Sequence, residues 1–385
     1  MITFYQTILG YFLPFLEGGY GPKLLASTQR KGPGFGPGRQ ASSFWLCDGL
    51  WSTRWAKREE RNPMKRTLVA ISIIIVLFLV SIPQAGAQMD PLFSWNDGSA
   101  KQRILRFIEK VTKENGPDYE PPAECIAIFD SDGTLWPEKP LPIELYFVIH
   151  RIRQLAPKHP QWRKILPFKV LFEKSPKALM TLRKQDIERL MLTAYAGMTQ
   201  EDFRLEVQNW MATWQHPQLK VGVRGLYYEP MRDLLDYLRG NGFKTFIVTG
   251  GSSDFVRALS EPLYGVPIDQ VVGTEIGLRY KAAGGKSFVV RDPKVISFEN
   301  GPLKPVNIER TIGRRPLIAV GNGKSDIETL AYTSDRHGMS LCMVISHDDA
   351  SREFEYRADE MLKLAQERGW LIASIKRDWK LVFPK

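Results

Sequence analysis

The chain is 385 residues long, with 43% hydrophobic, 25% charged and 11% aromatic residues. That composition excludes a disordered or collagenous protein and allows one large domain or two ordinary ones. The formal charge of +11 invites a nucleic-acid or anionic-membrane partner, yet ten basic and four acidic residues fall in 1–87, leaving 43 against 38 over the rest, and no nucleic-acid partner is expected.

From Met64 the chain reads MKRTLVAISIIIVLFLVSIPQAGAQ: Lys65 and Arg66, a fifteen-residue apolar run from Leu68 to Ile82, then Pro83 and Ala85-Gly86-Ala87. A charged start, a short apolar stretch and a small-residue cleavage site are the parts of a secretory signal peptide, so 64–87 is assigned as one, with Gln88 as the mature start. A membrane span needs about 20 apolar residues, and Pro83 closes this run early. The expected location is periplasmic, without a stable membrane anchor after cleavage; retained, 68–82 would be a signal anchor. Residues 1–63 lack strand or helix periodicity and are read as upstream sequence ahead of a true start at Met64.

Beyond the leader, residues 123–129 form an apolar run ending at Asp130, and the pattern returns at 243–248, 270–272, 316–320 and 341–345. Short runs rich in Ile and Val read as buried parallel strands. Amphipathic helices are expected at 226–240 and about 324–333, so the fold class is α/β, a doubly wound, Rossmann-like parallel sheet. Helices are also expected at 141–154, 177–196 and 200–214, the last opened by Thr199. They define an inserted helical cap at 137–222, splitting a core made of 88–136 and 223–385. The stretch 274–300 carries a hairpin signal with Gly284-Gly285 at its turn. Cys125 and Cys342 fall on separate strands and are read as two buried thiols, with a bridge left open.

The chemistry-bearing residues lie at the ends of these strands. Asp130 and Asp132 in FDSDGTLW are two carboxylates spaced for one to act on a substrate while the other moves a proton. Thr249 and Gly250 in IVTGG supply a hydroxyl and backbone N–H groups at a helix start, a natural anion site. Lys304 offers a cation, with Lys286 and Lys294 as competitors, and GNGKSD presents Asn322 and Asp326 as oxygen ligands suited to magnesium. His150, His159, His216, His337 and His347 show no metal-ligand spacing and are read mostly as surface or loop residues. The basic, aromatic stretch 151–174 is read as a solvated helix face.

These four motifs, over residues 120–347, resemble the haloacid dehalogenase superfamily of phosphohydrolases, in particular its phosphoserine phosphatase-like branch with a helical cap. The resemblance implies that Asp130 is the nucleophile forming an aspartyl-phosphate and Asp132 the acid and base. It implies that Thr249, Gly250 and Lys304 bind the phosphoryl group, and that Asp130, Asp132, Asn322 and Asp326 surround Mg²⁺. Asn322 departs from the aspartate usual there: either its amide coordinates and Asp326 orients it, or Asp326 is the direct ligand. The expected function is an exported, Mg²⁺-dependent phosphatase acting on a small phosphomonoester. A phosphotransferase with the same intermediate, or a membrane-tethered binding module without turnover, are the alternatives.

Overall fold

The computed structural model describes residues 90–384 apart from 174, 175 and 180, and within it 85–385 forms one compact unit. The signal peptide at 64–87, the apolar run 68–82 and the upstream stretch 1–63 lie outside the described residues. No helix among the described residues is long and apolar enough to cross a membrane.

Helix α1, Ser99–Thr112, buries Ile104, Phe107, Ile108 and Val111, one stripe at helical spacing. Strand β1, Ile126–Phe129, is buried at every position. A helical insertion follows, with α2 at Ile143–Leu155, α3 at Lys184–Tyr195 and α4 at Gln200–Thr213. The continuous helix expected over 177–196 is broken, because the Asp186 carboxylate accepts the Arg183 N–H at 3.0 Å and caps a fresh start at Lys184. The solvated helix face expected over 151–174 is also corrected: 3₁₀ turns at Pro160–Arg163 and Phe168–Phe172 bury Trp162, stacked between His159 and Phe168 at 4.3 and 4.5 Å. Thr199 caps α4 as expected, accepting the Asp202 N–H at 3.0 Å. Phe147 of α2 meets Phe203 and Trp210 of α4 at 5.9 and 5.4 Å, so one aromatic cluster holds the insertion together.

The remaining elements alternate. They are α5 (Glu229–Gly240), β2 (Lys244–Ser252), α6 (Ser253–Tyr264), β3 (Val271–Ala283), β4 (Lys286–Ser297), α7 (Leu303–Thr311), β5 (Ile318–Gly321), α8 (Ile327–Ser334), β6 (Leu341–Ser346), α9 (Asp359–Arg368) and β7 (Leu371–Ser374). They form a seven-stranded sheet in the order β4-β3-β2-β1-β5-β6-β7, parallel except for β4. This is the doubly wound α/β sheet the hydrophobic runs imply, with every expected strand present. The hairpin is not a separate excursion, however. Strand β3 pairs with β2 near Val271 and continues into the antiparallel pair with β4, turning at Gly284 and Gly285 with φ of +61° and +73°. Only glycine adopts two successive left-handed conformations without steric cost.

Phe255 of α6 lies 5.6 Å from Phe147, which fastens the insertion to the core. Trp95 meets Trp379 edge-on at 6.3 Å, and the Asn96 N–H donates to the Asp378 carbonyl at 2.8 Å, so the residues after Asp90 are tied to the C-terminal segment. Cys125 and Cys342 are both free and buried, and burial pushes their thiols up to about 11 and about 12.

Candidate active site

All four motifs converge where the parallel strands end at their carboxyl edge, the ligand-binding side of such sheets. Asp130 leaves β1 with its N–H on the Val320 carbonyl at 2.9 Å, which locks it beside the end of β5. Lys304, in the first turn of α7 and 1% exposed, donates to Asp130 Oδ1 at 2.7 Å, Asp326 Oδ1 at 2.7 Å and the Val248 carbonyl at 3.2 Å. Three motifs thus meet on one ammonium group. The two rival lysines are elsewhere: Lys286 is exposed beside the hairpin turn and Lys294 is exposed along β4.

Burial raises the Asp130 carboxyl above its ordinary range, the Asp326 charge adds to the rise, and Lys304 opposes both. Burial likewise works against the Lys304 charge, but its two carboxylates overcome that and hold it protonated. Asp132 accepts the Trp136 indole N–H at 2.7 Å and lines the cavity in front of the site. Burial pushes its carboxyl up to about 7 against that hydrogen bond, with the charges of Glu138 and Glu144 adding to the rise. The two neighbouring carboxylates are therefore held differently, Asp130 by the Lys304 ammonium and Asp132 by the Trp136 indole.

Gly133, at φ +75°, makes the tight turn after Asp132, and a Cβ there would fall 2.1 Å from Asn322 Nδ2. Behind it the His347 ring, 3% exposed, donates Nε2–H to the Gly133 carbonyl at 2.8 Å, while Nδ1 lies 3.1 Å from Glu353 Oε2. Tyr228 donates its hydroxyl to the same carboxylate at 2.6 Å. His347 and His216 lie in loops, within the reading of the histidines as mostly surface or loop residues, but both are buried, His216 at 1% exposed. The Gly133 partner of His347 comes from a distant segment, whereas His216 Nδ1 accepts the N–H groups of Gln218 and Leu219 nearby in the chain.

Thr249 is at the strand end, but its hydroxyl is already engaged, 2.5 Å from Ser131 Oγ and accepting the Gly251 N–H at 3.1 Å. Gly250 and Gly251, not Thr249, line the cavity. Asn322 accepts from the Thr134 hydroxyl at 3.2 Å and directs Nδ2 to Glu138 Oε1 and the Tyr356 hydroxyl, at 3.3 and 3.2 Å. Asp326 uses both oxygens, Oδ1 on Lys304 and Oδ2 on the N–H groups of Asn322 and Gly323, each at 3.1 Å. Asp326 thus contacts both Lys304 and the backbone that carries Asn322.

Among the described residues no three His, Cys, Asp or Glu side chains gather closely enough to cage a metal. The carboxylates around Asp130 nonetheless offer oxygen donors, and two buried acidic side chains, Asp130 and Asp326, share a single buried cation. One or two carboxylates, a backbone carbonyl, an amide oxygen and substrate phosphate suit magnesium, which retains water and rarely takes an all-protein cage. The residues present fit that ion.

Several members of the site escaped the sequence. Glu144 on α2 is buried, with Oε1 accepting from the Tyr195 and Ser252 hydroxyls at 2.7 and 2.6 Å and Oε2 from the Ser252 N–H at 2.8 Å. It staples the insertion to the last residue of β2. The only signal was one acid within an apolar helical stretch, Ile143-Glu144-Leu145. The cavity itself, about 360 Å³, lies between the insertion and the strand ends.

A family model for haloacid dehalogenase-like hydrolases matches residues 127–331. No curated protein matches the chain. Among solved structures, a Bordetella pertussis Tohama I protein described as of unknown function is similar at 16% identity, covering 64% of this chain and 96% of that one, with a TM-score of 0.43. A phosphoserine phosphohydrolase-like protein from Francisella tularensis matches at 15% identity, 64% and 94% coverage, and a TM-score of 0.36. A probable phosphoserine phosphatase from Vibrio cholerae matches at 14% identity, 74% and 71% coverage, and a TM-score of 0.35.

Proposed function

The chain belongs to the haloacid dehalogenase-like hydrolases, and from that premise we propose that it is an exported, magnesium-dependent phosphatase acting on a small phosphomonoester. The carrying observation is the pairing of Asp130, held through Oδ1 by Lys304, with Asp132 on the wall of the cavity. Phosphoryl transfer needs positioning and charge stabilisation above all. Lys304 leaves Oδ2 of Asp130 as the attacking oxygen. As the Asp130 oxygen–phosphorus bond forms and the bond to the leaving oxygen breaks, Asp132 gives that oxygen its proton. Water then attacks the same phosphorus, Asp132 takes back a proton, and Asp130 is released.

Backbone N–H groups near Gly250 face the anion, and Lys304 offsets its charge. Asp130, the Asp132 carbonyl and Asn322 would hold magnesium, with Asp326 orienting Asn322. When bound, the ion would supply charge neutralisation at the phosphoryl oxygens. The helices between β1 and β2 would act as a cap that excludes water.

Phosphate release from a panel of phosphomonoesters with Mg²⁺ tests the reading. Asp130→Asn and chelation should each reduce release by about a thousandfold or more. Release unaffected by Asp130→Asn would sink it. Added alcohol that captures phosphate in preference to water would replace hydrolysis with transfer.

A further inference from the structure

The cavity beside Asp132 and Gly250 has walls that the phosphoryl chemistry does not use. Leu145 and Val148, three residues apart on α2, form one side, and Ile187 and Met191, four apart on α3, form another. Phe298, after β4, closes the third. These spacings put each pair on one helical face, so the apolar lining is continuous along both helices.

The buried polar side chains in the same walls, Glu144 and Thr274, are already committed, and Asn300 is exposed. Glu144 takes three donors, from Tyr195 and twice from Ser252. Thr274 donates its hydroxyl to the Gly250 carbonyl at 2.9 Å and accepts the Glu299 N–H at 3.2 Å. Lys184, which is exposed, and Glu188, which is half-buried, are the remaining charged lining groups apart from Asp132. Lys184 is exposed and sits 4.5 Å over the Phe298 ring, closing the gap between α3 and the loop after β4. A leaving group that set an ammonium or carboxylate against Leu145, Val148, Ile187 and Met191 would bury that charge on an apolar surface, which is unfavourable. An apolar group loses nothing there and gains contact.

We propose that the phosphomonoester carries an uncharged, apolar alcohol as its leaving group, seated against Leu145, Val148, Ile187, Met191 and Phe298. This rests on the phosphatase reading and narrows it. The test is steady-state phosphate release by the full chain with Mg²⁺ on n-hexyl phosphate, glycerol phosphate and O-phosphoserine. The expected result is a kcat/KM for hexyl phosphate at least about tenfold above the other two. Ile187→Asp, at a position exposed enough to keep the fold, should lower the ratio of hexyl to glycerol phosphate about tenfold. Preference for phosphoserine or glycerol phosphate, or a ratio unchanged by Ile187→Asp, overturns the apolar assignment while leaving the phosphatase reading intact. Release from none of the three, nor from the wider panel, overturns both.

Discussion

Asp130 and Asp132 were legible at the level of single residues because their chemistry is local: two acids at the end of an apolar run, followed by glycine. Glu299 was not. It is fully buried, with Oε2 accepting from the Asn307 amide and Oε1 without a partner, and burial pushes its carboxyl up to about 7 against Asn307 and Lys304, which pull it down. Its folded pKa therefore lies above the ordinary 4.5. The stability tied to its proton is complete below the unfolded pKa and is lost as pH rises through the folded one. Glu299→Gln, which does not titrate, should gain about 2 kcal/mol relative to the parent between pH 5 and pH 8, read by urea unfolding. Identical pH dependence in the two proteins would count against this. His347 makes a second case, since its carbonyl partner Gly133 is 214 residues away and no spacing reveals it. His347→Phe removes the donor to the Gly133 carbonyl and one of the two side-chain partners of Glu353, which should cost about 2–3 kcal/mol in the same measurement; a cost within error of zero would show that the contact holds nothing.

At the scale of elements, hydrophobic periodicity located all five expected strands and most helices, while the breaks between them depended on particular contacts. The Arg183 N–H to Asp186 bond divides one expected helix, and no propensity argument would have placed it. The join between elements is clearest at Arg291 on β4, 1% exposed. Its Nη1 donates to Gln200 of α4 at 2.9 Å and to the Asp254 carboxylate of α6, and its guanidinium lies 4.1 Å from the centre of the Phe203 ring. One side chain therefore ties the hairpin to the insertion and the core. Arg291→Met should destabilise by about 3 kcal/mol, because it removes the buried cation of Asp254 and leaves it only the partly exposed Arg257 at 3.5 Å. Combined with Asp254→Asn, the loss should fall short of the sum of the singles by more than about 0.5 kcal/mol. Strict additivity would mean that the pair is not coupled. Arg291→Lys should not restore stability, since an ammonium lacks the planar face that stacks on Phe203.

For the whole molecule, the charge of +11 first suggested a polyanionic partner, but its uneven distribution and a site built on acidic residues favour a small anion instead. The leader reading belongs at this scale too: N-terminal sequencing of the natively produced protein should begin at Gln88, and a product retaining residue 1 would remove export from the proposal. The amino-acid sequence alone determined the α/β class, the strands and the placement of acids, glycines and amide at their ends, because each depends on neighbours within a few residues. The tertiary structure decided which of three lysines enters the site, that Asp326 bonds both Lys304 and the Asn322 N–H, that Thr249 is already bonded to Ser131, and that Leu145, Val148, Ile187, Met191 and Phe298 share one cavity with Asp132. Those outcomes arise from contacts between segments as much as 174 residues apart, as between Asp130 and Lys304, where the geometry of packing, and not local periodicity, selects the partner.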